Sequence, residues 1–116
     1  MRFVTLAASA AIAVVLLVGS VASASAEPLG QKALKQLFPG HFQAIVSGML
    51  SLKVVARRDG SLFGHYSSKS DTGRWSIRRG HLCIKWQNWL DGRSTCSPVR
   101  QDGDWYHAAS VRFRKI

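Results

Sequence analysis

Acidic residues are scarce in this chain: six Asp and Glu stand against sixteen Lys and Arg, for a net charge of +10. So small a set leaves little for carboxylate catalysis. Asp59, Asp91 and Asp102 each precede a glycine in a turn-like stretch, where Asp serves by tolerating left-handed backbone and by hydrogen bonding locally. Glu27, Asp71 and Asp104 remain. Asp71 could be grouped with His65 or His81 and a serine, but no G-x-S-x-G frame surrounds any serine. Cysteine is scarcer still. Cys83 and Cys96 form neither a CxxC nor a CxxCH pattern, which argues against thiol redox chemistry and haem attachment. The four histidines, His41, His65, His81 and His107, show no HxH or HxxxH spacing, so no metal site is expected. The sequence therefore reads as a non-enzymatic protein without a cofactor.

The long uncharged apolar run lies at the start, from Phe3 to Val18, behind Arg2 and ahead of Ala22-Ser23-Ala24-Ser25-Ala26. A short positive segment, an apolar stretch and an A-x-A end are the grammar of a secretory signal peptide. The apolar core is short for a membrane span of about 20 residues, which favours cleavage over an uncleaved anchor. Residues 1–26 are thus set apart as a signal segment, and a periplasmic or secreted location is expected. Removing them takes away only Arg2 among the charged residues, so +10 becomes +9 on the remaining residues 27–116. That is one small domain, near the lower end of what a hydrophobic core alone stabilises. In an oxidising compartment a lone cysteine pair closes into a disulfide, so Cys83 and Cys96 are expected to staple the domain.

One helix is expected over residues 28–38. Pro28 suits a first helical position, Leu29, Ala33, Leu34, Leu37 and Phe38 share a stripe, and Pro39-Gly40 stops it. Its length favours a lid on a sheet over a membrane-seeking helix. Beyond Gly40 the apolar period is two. Turn signals recur at Arg58–Ser61, Arg79-Gly80, Leu90–Arg93 and Gln101–Asp104. Strands are expected near residues 41–47, 49–57, 61–67, 73–79, 81–88, 93–100, 104–109 and 110–115, with Lys69–Thr72 as a polar loop. This spacing predicts a mainly β fold, an antiparallel meander closing into a small barrel or a sandwich.

The stretch Gly73–Trp89 shows the alternation most plainly. Trp75 and Ile77 share one face of their strand, and Leu82, Ile84 and Trp86 share one face of the next. A tight hairpin at Arg79-Gly80 lets the two apolar faces coincide as core. Arg74, Arg78 and Lys85 then point outward, because burying unpaired cations is prohibitive. Cys83 projects beside them toward Cys96. Trp89 breaks the pattern, and is either a plug folded over a barrel end or an exposed anchor. With several tryptophans inward in so small a domain, a filled interior is expected in place of a ligand cavity.

Asp59-Gly60-Ser61 followed by Gly64, then Gly73-x-Trp75, Leu82-Cys83-x-x-Trp86, Cys96 and Asp102-Gly103-x-x-Tyr106 form a pattern spanning Gly40 to His107. On these residues the chain resembles a family of small exported proteobacterial β-rich domains of unknown function. The resemblance implies an envelope location and a compact β fold, and it brings no catalytic residue with it.

The basic surplus points to an anionic partner. Arg74, Arg78, Lys85, Trp89 and Arg93 are the candidate binding residues. Arg79, Arg100, Arg112, Arg114 and Lys115 add charge on strands or turns. They merge into one patch if the strands stay neighbours, or spread around the outside if the barrel closes. Lipopolysaccharide phosphates, an acidic polysaccharide or an acidic protein would fit, and a membrane-surface association is compatible with this. Nucleic acid matches the charge, with Trp89 or Trp105 available to stack, but export argues against it. The alternative is a proteinaceous inhibitor that presents a loop to a secreted hydrolase. A basic lysozyme would be repelled, and an acidic hydrolase accepted.

Overall fold

A computed structural model describes residues 27–116, and the signal segment expected at 1–26 lies outside the described residues. The domain is a nine-stranded antiparallel sheet, nearly closed into a barrel, with one helix. The helix α1 is Gln31–Leu37. The strands are β1 Gly40–Val46, β2 Leu50–Ala56, β3 Ser61–Tyr66, β4 Lys69–Arg78, β5 His81–Trp86, β6 Ser94–Pro98, β7 Arg100–Asp102, β8 Trp105–Ala108 and β9 Val111–Lys115. Their order in the sheet is β6-β5-β4-β3-β2-β1-β9-β8-β7. The two edge strands are therefore consecutive in the chain, parted by Val99 alone. The expected strand over residues 93–100 is a longer extended run whose halves bond to opposite edges: Pro98 pairs with His81 on β5, and Arg100 with His107 on β8. That shared run draws the edges together and answers the hazard of open sheet edges.

The remaining seam explains why the helix begins late. Residues 28–38 were expected to be helical, but Leu29 N–H donates to the Val99 carbonyl at 2.7 Å, and Pro28 bridges to Arg100. Backbone pairing across the seam outcompetes the first turn, and α1 starts at Gln31. The Gln31 amide then ties the helix to the β4–β5 hairpin: Nε2 donates to the Ile77 carbonyl (3.3 Å) and Oε1 accepts from Gly80 N–H (2.6 Å). Leu34, Leu37 and Phe38 are buried with Phe42, Val99 and Phe113, so α1 closes one end of the barrel. Phe38 sits 4.7 Å from Phe42 and 5.4 Å from Trp75 between ring centres. Such aromatic packing gives this end its density.

Alternation places the side chains as expected through the central hairpin. Trp75 pairs with Ile84 and Ile77 with Leu82, and both pairs face the core. Arg79 and Gly80 both have positive φ, as a two-residue primed turn demands. Cys83 pairs with Cys96, and their sulfurs are bonded. Two expectations are corrected. Lys69–Thr72 is the first part of the ten-residue strand β4, held by β3 through Tyr66↔Lys69, His65↔Ser70, Gly64↔Asp71 and Phe63↔Thr72. The interior is also not filled. An apolar cavity of about 480 Å³ lies at the end away from α1. Small inward residues, including Ala44, Ser97 and Ala108, leave that end wide.

Candidate functional site

Two surfaces carry the candidate residues: the outer face of β4–β6, and the turn that follows β5.

On the outer face, sheet register does the positioning. Arg74 stands directly opposite Lys85, which stands opposite Ser94. Four residues along β4, Arg78 stands opposite His81. Between these two rows lies the row Ser76, Cys83, Cys96. The disulfide thus forms the floor between cations. Arg74, Arg78, Lys85, Ser94 and Cys96 line one shallow depression of about 310 Å³, and no acidic residue is part of its lining. Arg74, Arg78, Lys85 and Arg93 are all exposed.

The neighbouring contacts hold the cations in place while leaving their charge outward. Arg74 Nη2 donates to the Asp59 carbonyl at 3.3 Å. Lys85 Nζ donates to the Gly92 carbonyl. Arg93 Nε donates to the Leu90 carbonyl at 3.5 Å, so it is tied to the turn after β5 and is not part of the depression's lining. Asp59 is the nearby carboxylate. The Ser61 hydroxyl and then the Ser61 N–H hold its pKa below the ordinary value, and Arg74 and Arg57 add to this. It remains an anion that offsets part of the charge of Arg74.

The cations do not all merge. Arg112 and Arg114 on β9 lie over the Trp105 ring, at 4.5 and 4.8 Å from its centre. Arg114 also donates from Nε to Gln43 Oε1 at 3.0 Å. These two guanidiniums belong to a separate cluster on another part of the barrel wall. Trp105, considered as a stacking residue, is occupied by them.

Trp89 does not join the outer face. It opens a 3₁₀ turn, Trp89–Gly92, in which Leu90, Asp91 and Gly92 all take left-handed φ values of 57–69°. Its ring packs 4.9 Å from that of Trp86, over Gly64. Its ring is thus turned inward at the barrel end and half-buried, and it is not an exposed anchor. A β-carbon on Gly64 would come within 2.6 Å of Trp89 and 2.7 Å of Trp86, so glycine is what lets both indoles seat. The exposed apolar residue at this turn is Leu90, with 54 % of its surface accessible.

The residue that fixes the turn is Asp71, on the inward face of β4 and only 6 % exposed. Its Oδ2 accepts from the backbone N–H of Asn88 and of Trp89, both at 2.9 Å, and its Oδ1 accepts from Asn88 Nδ2 at 3.1 Å. Sequence reasoning left Asp71 in a polar loop. Its partners are mainly backbone N–H groups, which leave no mark in the sequence. Burial opposes ionisation of Asp71, but the Trp89 and Asn88 N–H groups, the Asn88 amide and the Thr72 N–H outweigh it and lower the pKa. A carboxyl with a depressed folded pKa contributes stability above its unfolded value and loses it as pH falls through the folded one. The Trp86–Trp89 emission is therefore expected to hold from neutral pH down past the ordinary value of 3.8, and to shift only in stronger acid. A shift well above that value would contradict the assignment.

His41, His65, His81 and His107 are exposed on the sheet. Among the described residues no group of three or more His, Cys, Asp or Glu converges. The His107–Asp102 contact, at 4.0 Å, is an exposed pair on the β7–β8 hairpin. The disulfide fits an oxidising, non-cytoplasmic compartment. Among the described residues no helix is long and apolar enough to cross a membrane. No family model matches the chain, and no curated protein or solved structure is significantly similar to it.

Proposed function

We propose that the protein is a non-enzymatic binding protein of the cell envelope, periplasmic or secreted, that uses the outer face of β4–β6 to hold an anionic partner. The partner chemistry that suits this face best is phosphate on lipid head groups, as in lipopolysaccharide. The observation that carries the reading is the convergence of Arg74, Arg78 and Lys85 around one depression without a carboxylate in its lining. Guanidinium groups bind phosphate through paired N–H donors, and a strand spacing of four residues between Arg74 and Arg78 allows more than one phosphate to be met. The disulfide holds β6 against β5, and Arg74 and Lys85 each have a backbone carbonyl to hold them, which lowers the ordering cost of binding.

The test is co-sedimentation with vesicles carrying anionic phospholipid or lipopolysaccharide, beside neutral vesicles. Binding is expected to the anionic vesicles alone and to weaken with salt. Each cation near an anionic surface contributes about 1 kcal/mol, so neutralising Arg78 alone is expected to weaken binding about fivefold. Salt-sensitive retention on an acidic polysaccharide or acidic protein, with no vesicle binding, would move the partner to that class. Equal binding to neutral vesicles would refute the cationic face.

A second reading, inhibition of a secreted hydrolase, rests on the Trp89–Gly92 turn. It is clamped by Asp71 and projects Leu90, as a loop offered to an active site would. Inhibition assays against acidic envelope hydrolases separate it: a Leu90→Asp variant should lose inhibition and keep vesicle binding.

A further inference from the structure

The cavity inside the barrel is a different feature from the cationic outer face, and the inference drawn from it does not depend on that face. Its volume, about 480 Å³, falls within the range of roughly 300–1,000 Å³ typical of small-molecule sites. Its closed end is formed by Phe38 and Phe42 beneath α1. Leu52, Val54, Leu62, Leu82 and Val111 form much of the wall. The strand ends opposite α1 make the mouth: Val46 and Leu50, Tyr66 and Lys69, then the Trp89 turn and Ser110. Leu50 and Leu90 stand 41 % and 54 % exposed at that rim.

Charge at the cavity is one-sided. Lys69 is the single charged residue in its lining. Asp71 lies on the same strand and faces inward, but its oxygens accept the Asn88 and Trp89 N–H groups, and it does not line the cavity. Tyr66, paired with Lys69 across a two-residue turn, adds a phenolic hydroxyl to the same rim. An apolar chamber with a cation at its mouth matches a molecule with an apolar body and an anionic head.

We propose that the barrel binds a single-chain anionic amphiphile, its alkyl chain within the cavity and its head group beside Lys69. An aliphatic chain suits the wall because it can bend past Trp86 and reach the Phe42 end. Moving each methylene out of water then favours the complex.

The test uses the purified protein, expressed from the full chain, and fatty acids of increasing length as probes. Calorimetric titration with laurate, myristate and palmitate is expected to show tightening of about fourfold per added methylene until the chamber is full. Myristate brominated along its chain is expected to quench Trp86 and Trp89, which border the chamber. Lys69→Glu should weaken myristate about tenfold and leave myristyl alcohol unchanged. Ala108→Phe, which fills the chamber, should abolish binding, and thermal melting checks that this variant folds. Arg74→Gln with Arg78→Gln should bind myristate as the native protein does. Affinity independent of chain length, absence of binding with the native protein, or loss of myristate in the Arg74/Arg78 variant would each overturn the proposal. If myristate binds as described and neither anionic vesicles nor an acidic polysaccharide or protein is held, the chamber stands and the outer-face reading fails. The reverse result separates them the other way.

Discussion

Asp71→Ala is expected to cost the fold about 2–4 kcal/mol and to release the turn that carries Trp89. The carboxylate accepts from the Asn88 amide and from the backbone N–H groups of the consecutive residues Asn88 and Trp89. Alanine would leave those part-buried N–H groups without that acceptor, and an unmet buried donor costs about 1–3 kcal/mol. The turn also keeps three successive residues in left-handed backbone, only one of them glycine, and the Lys85 and Arg93 bonds to its Gly92 and Leu90 carbonyls hold its far end and leave the Asn88 and Trp89 N–H groups to Asp71. Denaturant unfolding should register the loss, and tryptophan emission should move to the red as Trp89 leaves Trp86. Asp71→Asn keeps the shape but aims an amide donor at N–H groups, so it is expected to fall between native and alanine. Native stability in the alanine variant would contradict the clamp.

The second large effect is on the disulfide. Replacing both Cys83 and Cys96 by serine is expected to cost about 3 kcal/mol, the unfolded-state entropy released by opening a loop of this size. The sequence separation of the bridge is 13 residues. For a domain of this size that corresponds to a fall in Tm of roughly 12–24 °C. Functional consequences follow from position. The bridge pins β6 to β5 between the Arg74–Lys85 and Arg78–His81 rows. Loosening β6 also frees the run through Val99 that joins the sheet edges. Vesicle binding is therefore expected to weaken in this variant even where it stays folded. A Tm within a degree or so of native would show that the sheet holds β6 without the bridge.

Parts of this architecture were legible in the residues. Period-two alternation from Arg74 to Trp86, with Arg79-Gly80 between, was enough to assign the inward and outward faces, and the register agrees. The pairing of Cys83 with Cys96 followed from compartment and count. Alternation does not, however, report barrel radius. Trp75 and Trp86 point inward as expected, yet the space between β1, β5 and β8 depends on how far apart the sheet carries them, so the cavity went unseen. Lys69–Thr72 read as a loop because all four side chains are polar, and the burial of Asp71 is settled by N–H groups eighteen residues away at Trp89. The helix start was misplaced for a related reason: Val99, which claims Leu29, is seventy residues distant in sequence. Nearest-neighbour chemistry predicted the Arg79-Gly80 hairpin and missed the Ser67-Ser68 turn between β3 and β4. Contacts closing the barrel lay beyond its reach.

The cationic face likewise emerged in two steps. Outward alternation gave Arg74, Arg78 and Lys85, and only the register showed that they surround one depression while Arg112 and Arg114 gather elsewhere. Trp89, chosen for its breach of the pattern, belongs to the barrel mouth. Its neighbour Leu90 is the side chain that meets solvent.

The most direct measurement of the outer-face claim is the affinity for anionic vesicles as a function of salt, for the native protein and for a variant with Arg74, Arg78, Lys85 and Arg93 all changed to glutamine. At about 1 kcal/mol per cation, the variant should bind about a thousandfold more weakly at low salt, with a much shallower salt dependence and an unchanged melting curve. A variant that binds as tightly as native, with the same response to salt, would contradict the account.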